Sequence, residues 1–145
     1  MYRILCFTLL APMLVMVLLA PAAQADRLDI RKPAYDQTLA YEAEGYTVKD
    51  AIQVGELIKG ESFYFDTQLT SGLDYVIHFQ GDEGVLAIKL EVFDEHWQLV
   101  QEKEVSGGPV VIKLSPEWSG SFHVKATMVD CVDEYDFWFI LAGYK

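Results

Sequence analysis

The chain has 145 residues, 52% of them apolar and 13% aromatic, with 23% charged and a formal net charge of −11. That composition excludes a disordered chain, leaves room for one ordinary domain, and is too acidic for plain binding to a phosphate backbone. The totals mix two parts: residues 1–25 hold 20 apolar residues, one base and no acid, and the remaining 120 residues carry −12.

Met1-Tyr2-Arg3 is a short basic start, and Ile4 to Ala20 is almost uninterrupted hydrocarbon. Ala23-Gln24-Ala25 then presents two small residues at cleavage-site spacing. This three-part pattern predicts a secretory signal peptide over 1–25, removed after Ala25. The apolar run is short for a membrane anchor, so no membrane span is expected after cleavage. Cys6 falls in the removed part and Asp26 follows the cleavage point, so the mature chain keeps one cysteine, Cys131. A single thiol makes no internal disulfide, and a buried apolar role is expected for it. The address implies a periplasmic or secreted protein.

Residues 26–50 are weakly patterned and contain Pro33. They are read as an extended arm, with a helical turn near Thr38–Ala43. Thr47-Val48-Lys49-Asp50 has the spacing of a capping box, but Gly55 and Gly60 follow, and a short strand over Ala51–Ile58 is expected instead.

From Glu61 onward, apolar and polar residues alternate in seven stretches. Phe63, Phe65 and Leu69 share one face. Tyr75, Ile77 and Phe79 form the next set, opposite Val76 and His78. Leu86, Ile88, Leu90 and Val92 follow, and Gln98–Val105 runs back. Val110, Ile112 and Leu114 come next, then Phe122, Val124, Ala126 and Met128. Tyr135, Phe137, Phe139 and Leu141 close the chain, with Trp138 and Ile140 opposite. Turn signals recur about every 10–12 residues, which predicts an all-β antiparallel sandwich over 51–145 with seven or eight strands. The last strand is apolar on both faces and is expected inside a sheet rather than at its edge.

Gly60-Glu61-Ser62-Phe63-Tyr64-Phe65-Asp66-Thr67-Gln68-Leu69-Thr70-Ser71-Gly72-Leu73-Asp74-Tyr75-Val76-Ile77 resembles the opening strands of bacterial pre-peptidase C-terminal domains. Ile88–Asp94 resembles their third strand, and Trp118-Ser119-Gly120-Ser121-Phe122 the strand that begins Ser-Gly-x-aromatic. The likeness covers about Ala51 to Lys145. It implies a jelly-roll-like β-sandwich of the kind that accompanies secreted enzymes as an accessory, binding or removable segment. Collagen-binding relatives hold calcium with acidic residues. Here Lys89 stands in the third strand where an acid is common, so no calcium is expected there, and no peptidase accompanies the domain in this chain.

No G-x-S-x-G, H-E-x-x-H, C-x-x-C or P-loop occurs. His78, His96 and His123 fall at strand and turn positions with neither triad nor zinc-ligand spacing, so no catalytic residue is assigned. The acidic turn Asp130-Cys131-Val132-Asp133-Glu134-Tyr135-Asp136 is the metal candidate. Asp130, Asp133, Glu134 and Asp136 offer oxygens for calcium, though the same carboxylates equally suit a solvated hairpin that discourages aggregation. Trp97 and Trp118 lie in turns and are the binding candidates; each could stack on a sugar, anchor a partner, or plug the end of the sandwich. The expected function is an exported, non-catalytic accessory or binding domain. A calcium-stabilised carbohydrate- or matrix-binding module is one alternative, and a periplasmic inhibitor or chaperone-like partner of another secreted protein is the other. A glycan or another exported protein is the expected partner, and nucleic acid is not.

Overall fold

The computed structural model describes residues 22–48 and 52–145. The expected signal peptide lies outside the described residues except at 22–25, and Cys6 lies outside them altogether. One helix, α1 (Ala22–Ala43), precedes nine strands: β1 (Thr47–Val48), β2 (Gln53–Leu57), β3 (Ser62–Leu69), β4 (Tyr75–Gly81), β5 (Val85–Phe93), β6 (Leu99–Ser106), β7 (Val110–Leu114), β8 (Gly120–Cys131) and β9 (Asp136–Tyr144). Every pairing among the described strands is antiparallel. One sheet runs β1-β9-β4-β7 with β2 also on β9, and the other runs β3-β8-β5-β6. All seven stretches after Glu61 carry strands, and the expected Ala51–Ile58 segment supplies β2.

Period-2 alternation builds the core directly. Tyr75, Ile77 and Phe79 of β4 and Trp138 and Ile140 of β9 face Ile88, Leu90 and Val92 of β5 and Phe122, Val124, Ala126 and Met128 of β8. Burying apolar side chains of this size contributes roughly 1.5–3 kcal/mol each, set against the entropy of ordering them. Gly55 lets the sheet close over Trp138: a Cβ there would stand 2.7 Å from the indole Cζ2. β9 sits between β4 and β1/β2, as its two apolar faces require.

The extended arm expected over 26–50 is corrected by the structure, because residues 22–43 are helical. Ile30, Ala34 and Tyr41 recur at intervals of four and seven and form a buried stripe. They cover Val76 of β4 and Phe137, Phe139 and Leu141 of β9, the outer face of the first sheet. Pro33 lies inside the helix and withholds one N–H, yet the packed stripe outweighs that loss. The helix ends in a Schellman motif. Tyr46 N–H donates to Tyr41 O at 3.0 Å and Gly45 N–H to Glu42 O at 3.0 Å, with Gly45 at φ 88. Tyr41 and Tyr46 supply the apolar contact that accompanies such caps, edge to face at 5.8 Å. Thr47 then enters β1, paired with Tyr144.

A buried polar pair fixes the helix to the sheet. Tyr41 Oη lies 3.1 Å from His78 Nδ1, and His78 Nε2 lies 3.1 Å from Gln80 Oε1. With Gln80 accepting from Nε2–H, Nδ1 is the acceptor for the Tyr41 hydroxyl. His78 is 2% exposed and stacks on Phe139. Burial lowers its pKa from the ordinary value of 6.5. A histidine held neutral in this way contributes stability that is complete above about pH 6.5 and is lost as pH falls through the depressed folded value. The urea midpoint is therefore expected to fall between pH 7.5 and pH 5, and His78→Gln should flatten that slope. Burial raises the Asp136 carboxyl, which titrates with the opposite sign, so the comparison with His78→Gln isolates the histidine. Burial pushes the Tyr41 hydroxyl up to about 12, so its contribution is lost only in alkali, from about pH 10 upward.

Candidate binding site

Three connections meet at one end of the sandwich: β3–β4, β5–β6 and β7–β8. The β5–β6 turn is organised by Asp94, a buried carboxylate. Its Oδ1 accepts from His96 N–H at 2.9 Å and Gln98 N–H at 2.8 Å, and its carbonyl accepts from Trp97 N–H at 3.0 Å. That geometry forces Trp97 to φ 58, the left-handed region. Among the described residues no other non-glycine has a positive φ. A bulky aromatic side chain there costs about 1 kcal/mol or more, and such strain persists where surrounding contacts over-determine it.

The contacts are visible. The Trp97 indole lies parallel to the His123 imidazole, 4.1 Å away and tilted by 2°. His123 Nδ1 lies 2.6 Å from Asp66 Oδ1, so the imidazole is pinned from the neighbouring strand β3. β3, β8 and the β5–β6 turn thus hold one aromatic ring flat against the outer face. Trp97 also meets the Phe93 ring at 5.7 Å and is still 56% exposed. Trp118, in the β7–β8 loop, is 39% exposed and stacks on Phe122 at 5.5 Å. Its Nε1–H donates to Glu95 Oε2 at 3.3 Å, which ties the two tryptophan-bearing loops together. Ser71 N–H donates to Ser119 Oγ at 2.9 Å and brings in the β3–β4 loop. Beside Trp118 lies a cleft of about 550 Å³, lined by Asp94, Gln98, Leu99, Lys113 and Glu117.

The structure therefore brings Trp97 and Trp118 to one end and shows how each is held. Trp118 leans on a core residue, while Trp97 lies on the outer face of the sheet. The sequence reading missed the Asp66–His123 pair. The two residues alternate onto the same polar strand face, but only the β3–β8 register, Asp66 opposite His123, places them in contact. The three histidines do not converge: His78 lies under α1, His96 in the turn and His123 on the outer face.

The four candidate metal ligands are divided. Asp130 pairs with Lys59 at 2.8 Å, and that ammonium holds its carboxyl below the usual carboxylate range. Asp133, Glu134 and Asp136 line a cleft of about 950 Å³ at the other end of the sandwich, under Ile30 and Pro33 of α1. Among the described residues no group of three or more histidine, cysteine, aspartate or glutamate side chains could hold a metal ion by itself. Cys131 is a free, half-buried thiol with its Sγ 3.5 Å from Asp133 O, not the fully buried residue expected.

No family model and no curated protein matches this chain. Solved structures similar to it include a periplasmic inhibitor of g-type lysozyme from Aeromonas hydrophila, 12% identical over 70% of this chain and 90% of that one, with a TM-score of 0.52. The pre-peptidase C-terminal domain of a collagenase from Bacillus anthracis is 14% identical over 63% and 85%, with a TM-score of 0.44. The carbohydrate-binding module CBM4 is 13% identical over 74% and 83%, with a TM-score of 0.47. At these identities the likeness is one of fold, and the chain shares its antiparallel β-sandwich architecture with the lysozyme inhibitor.

Proposed function

We propose that this chain is an exported, non-catalytic binding domain that takes its ligand at the end of the sandwich bearing Trp97 and Trp118. The observation that carries this reading is Trp97 itself: a strained, half-exposed indole fixed flat on the Asp66–His123 pair. A rigid ring face costs little entropy on binding, and the flanking polar groups, Asp66, Glu95 and His123, can accept or donate hydrogen bonds around it. A sugar ring presents that combination of an apolar face and a hydroxyl rim, so a glycan is the first ligand class. The charge of −12 on residues 26–145 supports a second reading, an exported protein partner with a basic surface, held as an inhibitor or chaperone-like companion would hold it.

A glycan array and a pull-down from the exported fraction, both run at two salt concentrations, separate these classes. Glycan capture should survive the higher salt, whereas capture of a basic protein should weaken. Trp118→Ala is expected to weaken either capture by tenfold or more while leaving most of the melting temperature in place. A large melting loss in that variant, with capture by the folded fraction unchanged, would assign Trp118 to the core and not to the site.

A further inference from the structure

Among the described strands the two sheets have four lateral edges, and three of them are guarded. β6 carries Glu102, Lys103 and Glu104, pairs with β5 through a bulge at Val92/Phe93, and sends Lys103 Nζ to Val111 O of β7 at 3.4 Å. β7 is five residues long and bears Lys113, and the opposite edge of its sheet is split between the two-residue β1 and the five-residue β2. Short strands, lysines and bulges keep an edge from pairing with another chain. β3 has none of these. It runs eight residues in unbroken register with β8, has Asp66 as its one charge, and among the described strands pairs with β8 alone. Its main chain is set to take a further strand. Met128 N–H donates to Glu61 O at 2.9 Å, so by the alternation of an antiparallel ladder Phe63 and Phe65 bond to β8, while the N–H and C=O of Tyr64 and Asp66 point to the open edge. The side chains beside that edge are half-covered. Phe63 and Phe65 stack at 6.0 Å and are only partly buried against the core, and Tyr64, on the other face, is 54% exposed.

We propose that β3 pairs antiparallel with β3 of a second copy of this chain, in a two-fold dimer that joins the two four-stranded sheets into one. The sequence of β3 selects the copy as the occupant. Ladder alternation allows two registers that pair all but one of its eight residues. One sets Asp66 against Asp66, so that like charges oppose each other. The other centres on Phe65: Phe65 meets Phe65, Phe63 meets Thr67, Ser62 meets Gln68 and Tyr64 meets Asp66, with no like charges opposed. The half-buried Phe63 and Phe65 of each copy then cover one another. The dimer also adds to the aromatic site. Tyr64 and Asp66 lie on the outer face that carries His123 and Trp97. Tyr64 of the second copy therefore comes beside each Asp66–His123 pair, and the two Trp97 rings lie on one continuous face. A ligand with repeated units can be held at both. That consequence rests on the binding function proposed above, and the dimer itself does not.

A contact through one strand edge buries less than a standard interface, so a dissociation constant of about 10–100 µM is expected. Sedimentation velocity of the exported chain without ligand, over about 1 µM to 1 mM, should show a monomer–dimer equilibrium. It should strengthen with salt, because residues 26–145 of each copy carry −12. Tyr64→Lys and Tyr64→Pro should each weaken it by tenfold or more. Both keep the pairing with β8, because the Tyr64 N–H points away from that strand. In a Cys131→Ser background, Phe65→Cys should give a disulfide-linked dimer on mild oxidation, and Thr67→Cys, which meets Phe63, should not. A chain that stays monomeric at every concentration would overturn the proposal and leave the Trp97 and Trp118 site standing. A dimer that persists in both Tyr64 variants, or that Thr67→Cys links as readily as Phe65→Cys, would overturn it by placing the contact elsewhere. A dimer in a chain whose ligand capture is indifferent to Trp97→Gly supports the proposal and counts against the binding site alone.

Discussion

Replacing Tyr41 with alanine is expected to lower the unfolding free energy by about 3–5 kcal/mol, the cost typical of removing a buried aromatic side chain. Two losses combine. The helix loses the ring that seats it on β9 and caps its C-terminus against Tyr46. His78 Nδ1 then loses its hydrogen-bond partner in a buried position, which alone costs about 1–3 kcal/mol. Tyr41→Phe keeps the packing and loses only the hydroxyl, so the drop expected is the about 1–3 kcal/mol of the unpaired imidazole nitrogen alone. Urea unfolding at pH 7.5 measures both. If the two variants unfold like the parent, α1 is not part of the cooperative unit. The Tyr41→Ala chain should also bind hydrophobic dyes, because an undocked helix uncovers Val76, Phe137, Phe139 and Leu141.

Replacing Trp97 with glycine should separate stability from binding. Glycine accepts φ 58 without the penalty that tryptophan carries, a gain of about 1 kcal/mol. The substitution gives up the ring contacts with His123 and Phe93, each worth about 0.5–1.5 kcal/mol for an aromatic pair. The net loss is then at most about 2 kcal/mol, a modest drop in melting temperature. Binding should fall by roughly thirtyfold or more, the loss expected when a central aromatic anchor is removed. A variant that unfolds several kcal/mol more easily would instead mark Trp97 as a structural plug. Trp97→Tyr is a further check, because it keeps a flat ring and should retain part of the binding.

The strands were legible because alternation is a local signal. β4 shows this well: its even and odd residues go to the helix side and to the sheet–sheet core, as their chemistry requires. The helix was hidden for two reasons. Pro33 reads as a break, and the stripe of Ile30, Ala34 and Tyr41 is thin because alanine contributes little hydrophobic signal. What reveals it is tertiary, namely the apolar outer face of β9 and β4 that needs a cover. Gly45 followed by Tyr46, with Tyr41 five residues before, is the one local signature that would have located the helix end.

The site was legible only in part. Two turn tryptophans stand out in any sequence reading, but their meeting depends on strand order. β8 lies between β3 and β5, so a histidine of β8 can be held by an aspartate of β3 and covered by a tryptophan just beyond β5.

The most direct measurement uses the three indoles as reporters. Trp97 and Trp118 lie at the proposed site, while Trp138 is buried in the core. In ¹⁵N-labelled protein titrated with the ligand retained by the array or pull-down, the Trp97 and Trp118 indole N–H signals should shift and saturate together. The Trp138 signal should stay in place. If Trp97 and Trp118 stay fixed while residues around Asp136 move, the ligand sits at the other end of the sandwich and the aromatic site is not the one this protein uses.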